Sequence, residues 1–279
     1  MREVDIFISI RNRLEFTKIC FDALLCNVDW GLIQKIIIVQ DVDERIGIKK
    51  YSPDDKKILE YLREVIVKIR EKGVEVKYVI SYFGSVPRVM RCGIRFSYSK
   101  YLFKIDNDVV IGTDTISRLK RVIDLSPELV VLGYGKIWNS KNIGVVLKEN
   151  GCGYVECKEG KSKWIRSPKF HVGGLFIARN KILKKNLKNL RTGRKPFVGW
   201  ANTQVNHFKK EGNKIGWYWP NIENTVILDF LSDPEVFQKA GLDYNNMCKL
   251  VDEYFQKGWT KRSLEYSKGC TQKSGGIWE

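Results

Sequence analysis

The stretch Tyr101-Leu102-Phe103-Lys104-Ile105-Asp106-Asn107-Asp108-Val109-Val110-Ile111 joins a short apolar run to two acids spaced D-x-D. A run of this length that stops at a polar turn reads as a buried strand, with the acids at its carboxyl end. The same construction occurs twice earlier. Val4 to Ile10 (VDIFISI) ends at Arg11-Asn12-Arg13, and Lys35 to Val39 (KIIIV) ends at Gln40-Asp41-Val42-Asp43. Helical spacing fills the gaps between them. Phe16, Ile19, Cys20, Ala23 and Leu24 share one face after the first strand. Ser52-Pro53-Asp54-Asp55 then supplies a cap, a first-turn proline and two acids to a helix carrying Ile58, Leu62, Val65, Ile66 and Ile69, which stops at Gly73. Val74 to Ile80 reads as a further strand and Val86 to Ser99 as a further helix. Strands alternating with helices predict an α/β fold whose Rossmann-type, mostly parallel sheet carries helices on both faces.

From about Glu128 the rhythm changes. Leu129 to Leu132 and Gly173 to Ala178 read as strands, separated by an irregular or hairpin stretch, Gly135 to Phe170, rich in glycine, lysine and tryptophan. Asn180 to Leu190 and Thr203 to Glu211 are helix candidates, Pro234 to Lys257 is a helical region, and Gly258 to Glu279 is a polar tail. The expected organisation is a first α/β half over 1–127, merged with a smaller mixed-sheet half over 128–230. A helical extension and tail follow over 231–279.

The chain has 279 residues, of which 43% are hydrophobic, enough to bury a substantial core. No run reaches the roughly 18 apolar residues of a membrane span, and the first strand begins where a cleavable signal would lie. A cytoplasmic location is expected. Seven scattered cysteines do not make a disulfide framework; only Cys152 and Cys157 are close, with no second Cys or His pair beside them to complete a zinc site. The formal net charge of +17 suits a lysine-rich solvated surface of the kind seen in thermophiles. It also suits an anionic partner: a nucleoside diphosphate, a nucleic acid, or an acidic membrane contacted peripherally at its inner face.

Ligands of open parallel sheets bind beyond the carboxyl ends of the strands, where the three polar clusters stand. Asp106 and Asp108 offer the hard oxygen donors that Mg²⁺ or Mn²⁺ prefers, with positions left for substrate phosphates. A D-x-D pair can also cap a helix, but the next helix is expected near Thr113, too far on for either acid to cap it.

The ordered segments FISIRNR, IIIVQDVDE, YLFKIDNDVVI, VGGLFIAR and KKEGNKIGW resemble nucleotide-sugar glycosyltransferases of the GT-A fold, most closely family 2, over Val4 to Trp219. The resemblance implies transfer of a sugar from a nucleoside diphosphate sugar, UDP-linked by preference and GDP-linked second, with Mn²⁺ or Mg²⁺, to a glycan, lipid or protein. It further implies that Ser9, Ile10, Arg11 and Asn12 line the base, with Ser9 and Arg11 replacing the family's usual proline and tyrosine. Asp41 accepts a hydrogen bond from the base, and Gln40 stands where many members carry another acid. Asp106, with Asn107 beside it, meets the ribose or helps hold the metal that Asp108 ligates. Gly173 and Gly174 leave room for the sugar. Arg88 and Arg91 fall where the family often presents a basic residue to the donor, although a solvated helix face accounts for them equally well.

One departure concerns the chemistry itself. Inverting members often carry a catalytic Asp at the helix after the acceptor loop, whereas Gly199-Trp200-Ala201-Asn202-Thr203 contains no acid. Asp233 and Glu223 are the remaining candidates for the base. His171 and His207, the two histidines, read as structural or as a third metal ligand; Trp200, Trp217 and Trp219 read as core or as sugar-stacking platforms. Two other functions compete. A nucleic-acid-binding protein would use the positive charge, but no helix-turn-helix, zinc finger or ribonucleoprotein motif is present, and basic residues occur along the whole chain. A nucleotidyltransferase normally opens its first helix with a glycine-rich phosphate loop, and Ser9 to Leu14 contains no glycine.

Overall fold

Seven apolar or internally paired positions place the first strand, β1 (Val4–Ile10), at the middle of the molecule, in a computed structural model that describes residues 2–42, 53–82, 86–134, 152–157, 160–166, 174–185, 213–219, 225–228 and 234–256. It pairs in parallel with β2 (Ile33–Asp41) on one side and with β4 (Tyr101–Asp106) on the other, and β3 (Glu75–Ser81) extends the sheet beyond β2. β-Branched Ile36, Ile37, Ile38 and Val39 are all fully buried, as a strand covered on both faces requires.

Two apolar layers flank the sheet. On one face α1 (Leu14–Asn27), α2 (Pro53–Glu71) and α4 (Thr115–Leu125) pack through Phe21, Leu62 and Leu119 onto Ile6, Ile36 and Phe103. On the other, α3 (Val86–Phe96) and α5 (Asn180–Lys185) pack through Val89, Met90, Ile94 and Leu183 onto Phe7, Ile37 and Leu102. The sheet continues past residue 128 without a break. β9 (Leu175–Arg179) lies antiparallel between β4 and β6 (Leu129–Tyr134), and β10 (Lys214–Trp219) runs parallel to β6. The hairpin of β7 (Cys152–Cys157) and β8 (Gly160–Arg166) closes the edge. Among the described residues the nine strands order as β3-β2-β1-β4-β9-β6-β10-β8-β7. A two-stranded ribbon joins β5 (Val109–Val110) to β11 (Val226–Ile227), and α6 (Pro234–Lys239) and α7 (Tyr244–Gln256) follow.

The fold is therefore α/β with a mostly parallel, mixed sheet, as the strand and helix rhythm predicts. Local details differ for identifiable reasons. The helix expected to reach Ser99 ends at Phe96 because the buried Asp5 carboxylate accepts from Ser97 Oγ (3.0 Å), Tyr98 N–H (2.6 Å), Ser99 N–H (2.9 Å) and Ser99 Oγ (2.7 Å), which turns the chain. The single helical region expected over Pro234 to Lys257 is two helices. Gly241 takes φ +72° at the end of α6, where Leu242 N–H bonds Phe237 O, and Asp243 Oδ1 then accepts from Asn245 and Asn246 N–H to start α7. Cys152 and Cys157 occupy opposite ends of β7, five strand steps or roughly 16 Å apart along the backbone. No helix among the described residues is long and apolar enough to cross a membrane. The helix expected over Thr203 to Glu211, the second half of that over Asn180 to Leu190, and the tail from Gly258 lie outside the described residues.

Gly93 is where α3 crosses β1 most closely. A Cβ there would stand 2.6 Å from carbons of the Phe7 ring, which is fully buried and cannot retreat. Gly93→Ala is expected to destabilise the fold by about 1–3 kcal/mol through overpacking, outweighing the gain in helix propensity. Urea denaturation checks this: the midpoint falls while the slope stays constant.

Candidate active site at the strand ends

Parallel pairing sets Ser9 of β1 opposite Asp106 of β4, and Ser9 Oγ donates to Asp106 Oδ1 at 2.6 Å. The same carboxylate forms an ion pair with Lys104, two residues earlier on the same face of β4, and Lys104 Nζ also donates to Gly174 O (3.2 Å). A lysine this deeply buried needs a paired anion, because an unpaired ammonium out of water is costly. Gly174 completes the enclosure. Its backbone carbonyl accepts from Asp106 N–H, and a Cβ on it would lie 2.8 Å from Asp106 Oδ2.

Asp108 turns the other way, toward α1. Arg13 Nη1 donates to Asp108 Oδ2 at 3.1 Å and Arg13 Nη2 to Asn107 Oδ1 at 3.4 Å, with the guanidinium 5.7 Å from the centroid of the Phe16 ring. Holding it there takes an unusual backbone. Asn12 and Arg13 both adopt left-handed conformations, φ 53° and 63°, at a cost of order 1–3 kcal/mol each. Buried hydrogen bonds offset that cost. Asn107 Nδ2 donates to Asn12 O (3.0 Å) and to Thr17 Oγ1 (2.9 Å), and Thr17 Oγ1 donates to Arg13 O (3.0 Å).

Arg13 also occupies the N-cap of α1, and its side chain caps nothing. The cap comes from 239 residues away: Glu15 N–H donates to Tyr254 Oη of α7 at 3.1 Å. Tyr254 stacks edge-on against Phe16 at 5.0 Å and packs with Val110, Val226 and Leu228. Its hydroxyl is pushed up to about 12 by burial.

Asp41 ends β2 on the same face of the sheet as Ser9 and Asp106. It is buried, and its Oδ1 accepts from Ser81 Oγ (2.9 Å) at the end of β3. Gln40 points to the opposite face, where it receives the Tyr78 hydroxyl and donates to Asp55 O (3.1 Å), tying β2 to β3 and α2. These bonds make Gln40 a structural link in this fold. Asn12 is 5% exposed, and its Oδ1 has no hydrogen-bond partner, an acceptor left open at the strand ends. Ile10 is buried in the core and Arg11 half-buried. Arg88 and Arg91 are exposed on α3, whose first turn starts at this same edge. Gly173, Glu223, Asp233, His171, His207 and Trp200 lie outside the described residues.

Asp106 and Asp108 are the two carboxylates that the D-x-D turn offers at this edge. Among the described residues no third acid, histidine or cysteine joins them. That chemistry fits Mg²⁺ or Mn²⁺ held by one or two carboxylates and completed by substrate phosphates, not a cage of protein ligands. The side chain of Asp106 is 35% exposed and that of Asp108 10%, so Asp106 is the open member and Asp108 the one covered by Arg13. Lys104 and Tyr254 escape sequence reasoning, and Arg13 is legible only as a member of the polar cluster after β1, not as the partner of Asp108. For Lys104 a signal exists, since a lysine inside an otherwise apolar strand two residues before an acid predicts an internal pair.

No protein-family model matches the sequence, and no curated protein is detectably similar to it. Solved structures are. The mannosyltransferase PcManGT from Pyrobaculum calidifontis, determined with GDP-Man and Mn²⁺, aligns over 99% of this chain and 77% of its own with TM-score 0.54 at 11% identity. S. aureus TarS 1–349, determined with UDP-GlcNAc, aligns over 91% of this chain and 72% of its own with TM-score 0.50 at 11% identity. The likeness is one of fold, and the chain has a GT-A-like glycosyltransferase fold.

Tyr254→Phe keeps the ring packing and removes the acceptor for Glu15 N–H. A loss of about 1 kcal/mol of stability is expected, the usual worth of a helix cap, read as a lowered thermal midpoint.

Proposed function

We propose that this chain is a metal-dependent glycosyltransferase of EC 2.4 type. It moves a sugar from a nucleoside diphosphate sugar, uridine-linked first and guanosine-linked second, to a glycan, lipid or protein acceptor. The observation that carries the reading is the convergence of Asn12, Asp41 and the Asp106/Asp108 pair at one sheet edge. The ligands of the two structural neighbours, GDP-Man with Mn²⁺ and UDP-GlcNAc, support it.

Each residue has a chemical part. Asp41 accepts from a base N–H, and the open Oδ1 of Asn12 accepts from a second donor on the nucleotide. Asp106 takes a ribose hydroxyl or shares the metal, and Asp108 with Asp106 holds Mn²⁺ or Mg²⁺. The ion, when bound, neutralises charge on the departing diphosphate. Arg13 and Lys104 hold the two carboxylates apart and oriented before the donor arrives. Gly174, and Gly173 beside it in sequence, keep space free at Asp106. Arg88 and Arg91 offer cations to the donor at the start of α3. The domain division at residues 127 and 230 follows the same assignment, with donor contacts before the first boundary and acceptor contacts after it.

Calorimetry with UDP, GDP and their sugars, with and without Mn²⁺, tests the donor assignment. Asp41→Ala is expected to weaken nucleotide binding by about 1–3 kcal/mol. Asn12→Gly, which keeps the left-handed backbone, is expected to weaken it by about 1 kcal/mol while leaving the unliganded midpoint nearly unchanged, since the lost oxygen has no partner there. Unchanged affinity in both variants rejects the nucleotide site. Gly174→Ala is expected to displace Asp106 and reduce Mn²⁺-dependent donor binding without unfolding the chain.

Glu223 and Asp233 are the proposed bases for deprotonating the acceptor hydroxyl. Glu223→Gln and Asp233→Asn, each assayed for transfer alongside donor binding, are expected to show one variant with intact binding and lost transfer. Transfer at the parental rate in both removes both residues and favours a retaining reaction.

A further inference from the structure

The net charge is not evenly distributed. Residues 76–105 and 160–210 contain 20 of the 49 Lys and Arg and none of the 32 acids, so the remaining 29 bases and 32 acids leave the rest of the chain at −3. Basic residues occur everywhere along the chain, but their excess over acids lies in these two segments. The fold puts them side by side: α3 comes from the first and α5 from the second, and both cover the same face of the sheet.

The outer surface of this pair is basic. Arg88, Arg91 and Arg95 repeat at helical spacing on α3 and are exposed, as are Lys181 and Lys185 on α5. Between the helices Tyr98 is 74% exposed, the most exposed of the large hydrophobic side chains among the described residues. Lys184 Nζ stands 3.8 Å from the centroid of its ring and Lys35 Nζ 5.1 Å. Lys77 is exposed beside them, 5.0 Å from the Phe96 ring. Glu75, paired with Lys35 at 3.1 Å, stands at the margin.

We infer that this α3/α5 face docks on an anionic lipid bilayer. Long cationic side chains on the outsides of two neighbouring helices make a basic surface that can meet a plane of lipid phosphates. A nucleic-acid strand is instead bound in a groove that tracks its backbone. An exposed tyrosine ringed by ammonium groups has the amphipathic form that settles at head-group level. The proposal goes beyond the donor-site reading and does not depend on it.

Vesicle co-sedimentation of the full chain tests it, with phosphatidylcholine vesicles made with and without phosphatidylglycerol. The chain is expected to bind only the anionic vesicles and to be released by salt. The triple variant Arg95→Gln, Lys181→Gln, Lys185→Gln is expected to partition roughly 100-fold less, at about fivefold for each basic residue removed. Tyr98→Ala is expected to reduce partitioning with the charges intact. The thermal midpoint should be unchanged in every variant, which shows that the variants fold, and so should the calorimetric response to nucleotide, which separates this surface from the donor site. Equal binding to neutral vesicles, no binding to anionic ones, or full binding by the triple variant overturns the proposal. Tight binding to a single-stranded oligonucleotide without vesicle binding overturns it in favour of nucleic acid.

Discussion

A single hydrogen bond, from Ser9 Oγ to Asp106 Oδ1, ties the ends of the two central parallel strands, and the geometry of the strand ends follows from it. Parallel strands on their own fix only a register. The hydroxyl turns that register into an orientation, because it leaves the carboxylate one way to meet Lys104 from below and the Gly174 backbone from the side. From this point the D-x-D turn carries Asp108 to the α1 side, where Arg13 meets it. The left-handed pair Asn12 and Arg13 is the geometric consequence. Without that bend the chain leaving β1 would direct its arginine away from the acid.

Two carboxylates and two cations thus alternate across a few ångströms, and their formal charges cancel. Truncating Asp106 would leave the Lys104 ammonium buried without its carboxylate, the expensive way to break such an arrangement. Under the proposed function this neutrality has a consequence: a bare divalent ion gains little from a carboxylate pair that is already compensated, so ion and diphosphate are proposed to enter as coupled ligands.

Much of the arrangement is legible in sequence because it is local. Apolar runs ending in polar clusters identify β1, β2 and β4, and the alternation of strands with helices places those clusters at one edge. The start of α2 at Pro53, with Asp54 and Asp55 in its first turn, is legible for the same reason. What escapes reading is non-local. Nothing in the run of β9 says that it lies antiparallel between β4 and β6, since its apolar residues would suit either direction. The N-cap of α1 is invisible because the expected Ser, Thr, Asp or Asn is absent, its place taken by a tyrosine from another helix. Asp5, an acid within an apolar strand, signals a buried anion but not that its partners are the residues that end α3.

Tyr254 has a consequence for the order in which the molecule matures. The loop after β1 is translated well before the hydroxyl that completes its helix, which belongs to a residue 239 positions later than Glu15. Until α7 emerges, the first turn of α1 lacks that acceptor, and Phe16 lacks the ring that packs against it. The sheet can assemble from residues already translated while the arginine beneath the acid pair is still loosely held. The first turn of α1 is therefore completed only once α7 has been made.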